Sequence, residues 1–158
     1  MHEALKKRTG AWLATAVALG ITVAILHETD HPALLASLGG SCIILFGMPG
    51  SYMARPYNLF GGHLIAAVIG LAFLKLGHDL VGGNADVWMI AAVSTALVTM
   101  MATDSVHSPA GANPVVIFLE HADWTFLVWP LLVGLLVLFA TSAVAERLSE
   151  RSERGVSR

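Results

Sequence analysis

The sequence predicts an all-α membrane protein: four long transmembrane helices plus two short broken helices in one domain, residues 1–158. Three observations carry this. Of 158 residues, 56% are hydrophobic and 13% charged, with a mean hydropathy of +0.71, whereas soluble domains carry roughly a quarter charged residues. Apolar runs of membrane-spanning length recur along the chain. The basic residues also fall in alternate connections, as they do when a chain crosses a bilayer repeatedly.

The elements follow in order. Lys6, Lys7 and Arg8 precede the apolar run from Ala11 to Leu26. Ala14-Thr15-Ala16 would suit signal cleavage, but a cut there leaves too short an apolar region, so this run reads as the first membrane helix. Residues 27–32 form an acidic, His-containing loop. Residues 33–48 are apolar but interrupted by Ser37, Gly39, Gly40 and Ser41, which marks a short broken helix capped at Ser41. A loop with Pro, Tyr and Arg spans 49–58. Leu59 to Leu76 is a full span with Gly62, Ala66 and Gly70 four apart, a small-residue stripe suited to close helix packing. Residues 77–86 are polar, and Trp88 to Thr103 is the next span. His107-Ser108-Pro109-Ala110-Gly111-Ala112-Asn113-Pro114 follows. Its two prolines, glycine and alanines suit extended chain, and Asn113-Pro114 reads as an N-cap with proline at the first helical position. The second short helix is therefore expected to start at Pro114. Trp124 to Ala145 is the last long span, and residues 147–158 form a basic, polar tail. Trp12, Trp88, Trp124 and Trp129 fall near segment ends, where interfacial anchors belong. The lone cysteine, Cys42, excludes an internal disulfide and is expected to be packing.

Eight of the nine basic residues lie in the N-terminal segment, the 49–58 loop and the tail. The loops at 27–32, 77–86 and 120–123 hold acids and no Lys or Arg. Six crossings, two of them short, put every basic segment on the cytoplasmic side together with both termini. A four-span alternative with two re-entrant loops strands Arg55 on the other side. Lys75, the exception, is expected to snorkel.

Shifting the chain by 72 residues lays Gly39-Gly40-Ser41 and the run to Phe46 on Gly111-Ala112-Asn113 and the run to Phe118. Repeat halves of about 11–76 and 87–146, with three crossings each, would be inverted in the membrane. Inverted repeats with paired discontinuous helices typify transporters.

Ser37-Leu38-Gly39-Gly40-Ser41, the loop Arg55-Pro56-Tyr57-Asn58 with Gly61-Gly62-His63, and the His107–Pro114 motif together resemble the HPP family of integral membrane proteins. The similarity runs from about residue 29 to about residue 140. It implies four transmembrane helices and, from plant plastid and cyanobacterial members, a link to nitrite transport. The signature His-Pro-Pro reads His107-Ser108-Pro109 here. The loop that usually reads Gln-Pro-Arg-Asn reads Arg55-Pro56-Tyr57-Asn58.

Extended chain feeding a helix start leaves backbone N–H groups pointing one way, the makings of an anion site. The expected substrate-binding residues are Gly39, Gly40, Ser41, His63, His107, Gly111, Ala112 and Asn113, where two short-helix N-termini meet. Asp104, three before His107, is expected to fix the His107 tautomer, with Arg55 and Asn58 in support. Structural alternatives stand beside each: a hydrogen bond tying down extended chain for His107, packing for His63 and the glycines, a cytoplasmic anchor for Arg55. The reading is transport of a small monovalent anion, nitrite first, by a homo-oligomer in a lipid bilayer, with the bacterial inner membrane as the expected location. No catalytic residue, metal, cofactor or nucleic-acid partner is expected. The alternatives are a membrane binding or sensory module without transport and, last, a zinc metalloprotease. His27-Glu28-Thr29-Asp30-His31 fits H-E-x-x-H, but Pro32 disfavours the continuous helix that motif needs.

Overall fold

In a computed structural model, residues 2–26 and 31–156 are described, with side-chain environments for 8–26 and 31–149. Every element among them is helical. Helix α1 is His2–Leu26. Helix α2 is Leu34–Cys42 and continues as a π-helical turn, Ile43–Gly47. A 3-10 turn at Tyr52–Ala54 leads to α3, Pro56–Ala72, which runs on through a π-helical stretch, Phe73–His78, and a last α-helical turn, Asp79–Val81. Helix α4 is Ala85–Ala102. A 3-10 stretch, Ser108–Ala112, feeds α5, Asn113–Leu119. The last span begins irregularly at Trp124–Leu132 and becomes α6, Val133–Val156. Four segments are long and apolar enough to cross a membrane: Arg8–Leu26, Pro56–Val81, Ala85–Ala102 and Trp124–Ser149. Leu34–Gly47 and Ser108–Leu119 are shorter apolar helices.

The connections sort to two ends of the bundle. At one end His31 Nδ1 lies 2.9 Å from Glu120 Oε2, and His121 Nε2 lies 3.6 Å from Asp79 Oδ1, so the three acidic loops meet. At the other, the Tyr57 hydroxyl donates to the Thr103 carbonyl at 2.8 Å, and the Asn58 amide donates to the carbonyls of Asp104 and Val106 at 3.1 Å each. The short segments therefore run between the same two ends of the bundle as the long ones. Fourteen helical residues from Leu34 to Gly47 rise about 21 Å. For the other, 3-10 plus α geometry gives about 20 Å, and extended chain at 105–107 adds about 10 Å. Lys75 sits at the acidic end, where its ammonium pairs with Asp79 at 3.3 Å.

The small-residue stripe on α3 packs as its spacing predicts. Leu59, Gly62, His63, Ala66, Ala67, Gly70 and Leu71 are all buried. A Cβ on Gly62 would lie 2.8 Å from His107 Cβ, and one on Gly70 would lie 2.9 Å from Pro114 Cα, so the 105–117 segment rests directly on α3 backbone. Leu34, Leu38, Leu71, Ile117, Phe126, Leu131, Leu135 and Leu138 form the main apolar core. Large apolar residues on α1 and α4, such as Val17, Ile90 and Leu97, face outward, as a lipid-contacting surface requires.

Two helix starts differ from expectation. Helix α2 begins at Leu34, not after Ser41, and Gly39-Gly40 does not break it. The missing cap comes from across the fold: Glu120 Oε1 accepts from the Ala33 backbone N–H at 2.7 Å, which places a carboxylate at the positive end of α2. Asn113 has helical angles (φ −58) and does not cap α5; its side chain is engaged elsewhere. The two short helices lie antiparallel, with Ala33 beside Glu120 and Ser37 beside Pro109. Their N-termini consequently lie apart, and the expected meeting of two helix N-termini is not built. Of the H-E-x-x-H residues, 27–30 lie outside the described residues. His31 is described; it pairs with Glu120 and packs edge-on against Phe126.

Candidate functional site

Where α2, α3 and the 107–113 segment cross, five polar side chains gather: Ser37, Ser41, His63, His107 and Asn113. Each is at most 1% exposed. Helix spacing puts Ser37 and Ser41 on one face of α2, four residues apart. Close approach of backbones is what admits small hydroxyls and imidazoles here. Gly40 sets one side: a Cβ would lie 3.1 Å from Pro109 Cβ. Gly62 sets the other, beneath His107.

The loop that carries His107 is itself held from α3 and α4. Ser105 N–H donates to the Met100 carbonyl at 2.9 Å, and Asn58 holds the carbonyls on either side of Ser105. His107 is extended (φ −136, ψ 101), which turns its ring inward. Its Nδ1 is 2.8 Å from the Met53 carbonyl oxygen, and its Nε2 is 2.9 Å from Ser41 Oγ. His63 Nε2 is also 2.9 Å from Ser41 Oγ, so one hydroxyl bridges both rings. The ring centroids are 5.1 Å apart. The Asn113 amide nitrogen lies 3.1 Å from both Nδ1 and the carbonyl oxygen of His63. The Ser37 hydroxyl sits 2.8 Å from Asn113 Oδ1 and 2.9 Å from the Pro109 carbonyl, and with one proton it serves one of them at a time. Among the described residues no buried side-chain nitrogen or oxygen lacks a partner. Every buried polar side-chain atom of the cluster is thus paired inside the fold, as burial away from water requires.

Ser41, His63, His107 and Asn113 are brought together as a set. Gly40 borders them as packing. Gly39 and Gly111 do not make the close approaches foreseen for them: a Cβ on either meets nothing within 4 Å. Ala112 is half-buried and, like Gly111, takes no part in the hydrogen-bonded cluster. The expected Asp104–His107 pair is absent. Asp104 is exposed, in the left-handed region (φ 51), and the Met53 carbonyl holds His107 Nδ1 instead. A left-handed turn at 104 reverses the chain and carries the carboxylate outward. Ser37 and the Met53 carbonyl were not foreseen. The four-residue spacing of Ser37 and Ser41 was the available signal for the first; nothing local marks the second.

Beside this centre, at the end with residues 52–58 and 103–106, lies an open cleft of about 550 Å³. Tyr52, Arg55, Asn58, Met101, Asp104 and Val106 line it. Arg55 is exposed there, and Val106 is the residue before His107. The described residues contain no group of three or more His, Cys, Asp or Glu placed to hold a metal ion.

Two curated relatives are transmembrane proteins of Dictyostelium discoideum. One is 28% identical over 149 residues and the other 27% over 150, each match covering 89% of this chain. The matches cover 52% and 48% of those proteins, so the chain spans about half the length of the curated relatives it matches. No solved structure matches it. The family model "HPP, transmembrane region" matches residues 1–154, and the chain belongs to the HPP family of integral membrane proteins.

Proposed function

We propose that this protein carries a small monovalent anion across the membrane, nitrite being the first candidate. The observation that supports this is the buried cluster of polar side chains, Ser37, Ser41, His63, His107 and Asn113, where α2, α3 and the 107–113 segment cross. Polar groups at such depth are costly and in membrane proteins mark substrate or ion pathways. A site of neutral donors suits a monovalent anion: hydroxyl, imidazole and amide N–H groups offset part of its lost hydration and still release it. The cleft supplies an approach. Arg55, exposed in its lining, raises the local anion concentration, and Asn58, buried beside it, holds the loop that carries His107. In this reading the basic face is cytoplasmic, the membrane is the bacterial inner membrane, the two halves form an inverted repeat, and copies of the chain associate through outward apolar faces.

Nitrite-dependent anion flux into proteoliposomes tests the proposal. Wild-type protein conducts, and Ser41→Ala, which removes the hydroxyl shared by both rings, loses most of the flux while keeping its folded state in detergent. Absence of flux in wild type removes the transport reading. The full internal pairing of the cluster favours one alternative, a membrane module that binds an ion without moving it. Saturable nitrite binding with no flux would select that module.

A further inference from the structure

The partners of the two buried histidines fix which nitrogens carry hydrogen. The Met53 carbonyl can only accept, so His107 Nδ1 is an N–H. The Asn113 atom nearest His63 must be the amide nitrogen, because it faces the His63 carbonyl while Oδ1 faces the Ser37 hydroxyl. That nitrogen donates to His63 Nδ1, which is therefore bare, and His63 carries its hydrogen on Nε2. His63 gives this hydrogen to Ser41 Oγ, and Ser41 gives its own to the bare Nε2 of His107. Two neutral rings of opposite tautomer result.

One more proton fits this arrangement at a single atom. Ser41 Oγ has a second acceptor in reach, the Ser37 carbonyl at 3.1 Å. If His107 Nε2 takes a proton from water, the Ser41 hydroxyl turns to the Ser37 carbonyl, and its oxygen accepts from both rings through its two lone pairs. Every bond sense stays satisfied. His63 Nδ1 has no such allowance, since a hydrogen there would face the Asn113 amide N–H, and reversing that amide would set its oxygen against the His63 carbonyl.

We propose that His63, Ser41 and His107 form a binding site for one proton, accepted at His107 Nε2 with the Ser41 hydroxyl as the turning element, and that this proton travels with the anion. The last clause rests on the transport reading; the proton site itself does not. The groups facing the pair are few. Helix α2 contributes Ser37 and Ser41, with Cys42 next in the chain; α5 contributes Asn113; and α4 turns Ala92, Ala96 and Met100 inward. Tyr52, Tyr57, Arg55 and Asp104 are exposed at the cleft end, and none of them is a hydrogen-bond partner of either ring.

Nitrogen-15 NMR of histidine-labelled full-length protein in lipid nanodiscs tests the site, with His63→Gln and His107→Gln for assignment. The peptide Val106-His107 is the one Val-His pair in the chain, so paired labelling identifies His107 without mutation if a variant fails to fold. Near pH 8, His63 should show the Nε2–H form and His107 the Nδ1–H form. As pH is lowered toward the acid limit of the folded protein, His107 alone should become doubly protonated. Ser41→Ala should move the His107 midpoint by about one unit or more and leave the His63 tautomer, held by Asn113, unchanged. Matching tautomers, titration of both rings or of neither, or an unmoved midpoint in Ser41→Ala would overturn the site. Flux on the same samples separates the two readings. The NMR pattern without flux keeps the proton site and removes transport. Flux that ignores an imposed proton gradient removes the coupling, and flux without the NMR pattern removes the site alone.

Discussion

Substitution of Gly62 by alanine probes the contact on which the site geometry depends. The added Cβ would lie 2.8 Å from His107 Cβ and 2.9 Å from the Ser105 carbonyl oxygen. Both neighbours belong to a short loop pinned by Asn58 and by the Met100 carbonyl, so neither yields as a flexible side-chain end would. Overpacking of this kind costs about 1–3 kcal/mol, because backbone and rotamers must shift together. The opposing helix-propensity gain from replacing glycine is about 1 kcal/mol at most. Gly39 is the internal control, since a Cβ there meets nothing within 4 Å and only the propensity gain remains. Gly62→Ala should unfold in detergent below the wild-type temperature, by up to several degrees at about 2–4 °C per kcal/mol, and Gly39→Ala at an equal or higher one. Anion flux should be lost in Gly62→Ala, as the His107 ring is pushed off Ser41. Equal stability of Gly62→Ala and wild type would refute the packing argument.

Other perturbations follow from the same contacts. Glu120→Ala strips the acceptor from the Ala33 N–H and the partner from His31, and should cost about 1–3 kcal/mol in thermal unfolding, whereas Glu120→Gln, still able to accept from Ala33, should cost less. Asn58→Ala removes both bonds that hold the Asp104 and Val106 carbonyls; a loss of similar size, together with reduced flux at unchanged expression, is expected. The Thr125 hydroxyl and, after it, the Thr125 backbone N–H hold the Asp123 carboxyl below its usual range. With the folded value depressed, this cap's contribution is complete above the unfolded carboxylate range and is lost as pH falls through the folded value. Thr125→Ala should return the Asp123 titration toward ordinary values by NMR.

Much of the architecture was legible in the sequence because membrane helices advertise themselves by length and apolarity, as at Trp88–Thr103 against the observed Ala85–Ala102. The Gly62, Ala66 and Gly70 stripe carried its packing role in its spacing. The cluster was legible in part, since small residues at 39–41 and 111–113 do mark the segments that cross next to His63. What was hidden is long-range. Gly39-Gly40-Ser41 reads as a helix break, yet Gly40 serves a close crossing with Pro109 inside an intact helix, and the cap for that helix comes from Glu120, 87 residues from Ala33. Asn113 reads as a cap because local rules cannot know that His63 claims its amide. The orienting group for His107 is a backbone carbonyl at Met53, and no side-chain pattern announces a carbonyl.

Six crossings, the short segments included, would carry Ser41, His63 and His107 to one buried centre between opposite faces. Single cysteines at Pro32 and Tyr52, both exposed and at opposite ends of the α2 segment, test this in a Cys42→Ala background. A membrane-impermeant thiol reagent applied to one side of sealed vesicles should label one position and spare the other, with the pattern reversed from the opposite side. Labelling of both positions from the same side would make residues 34–47 a re-entrant loop and rule out six crossings.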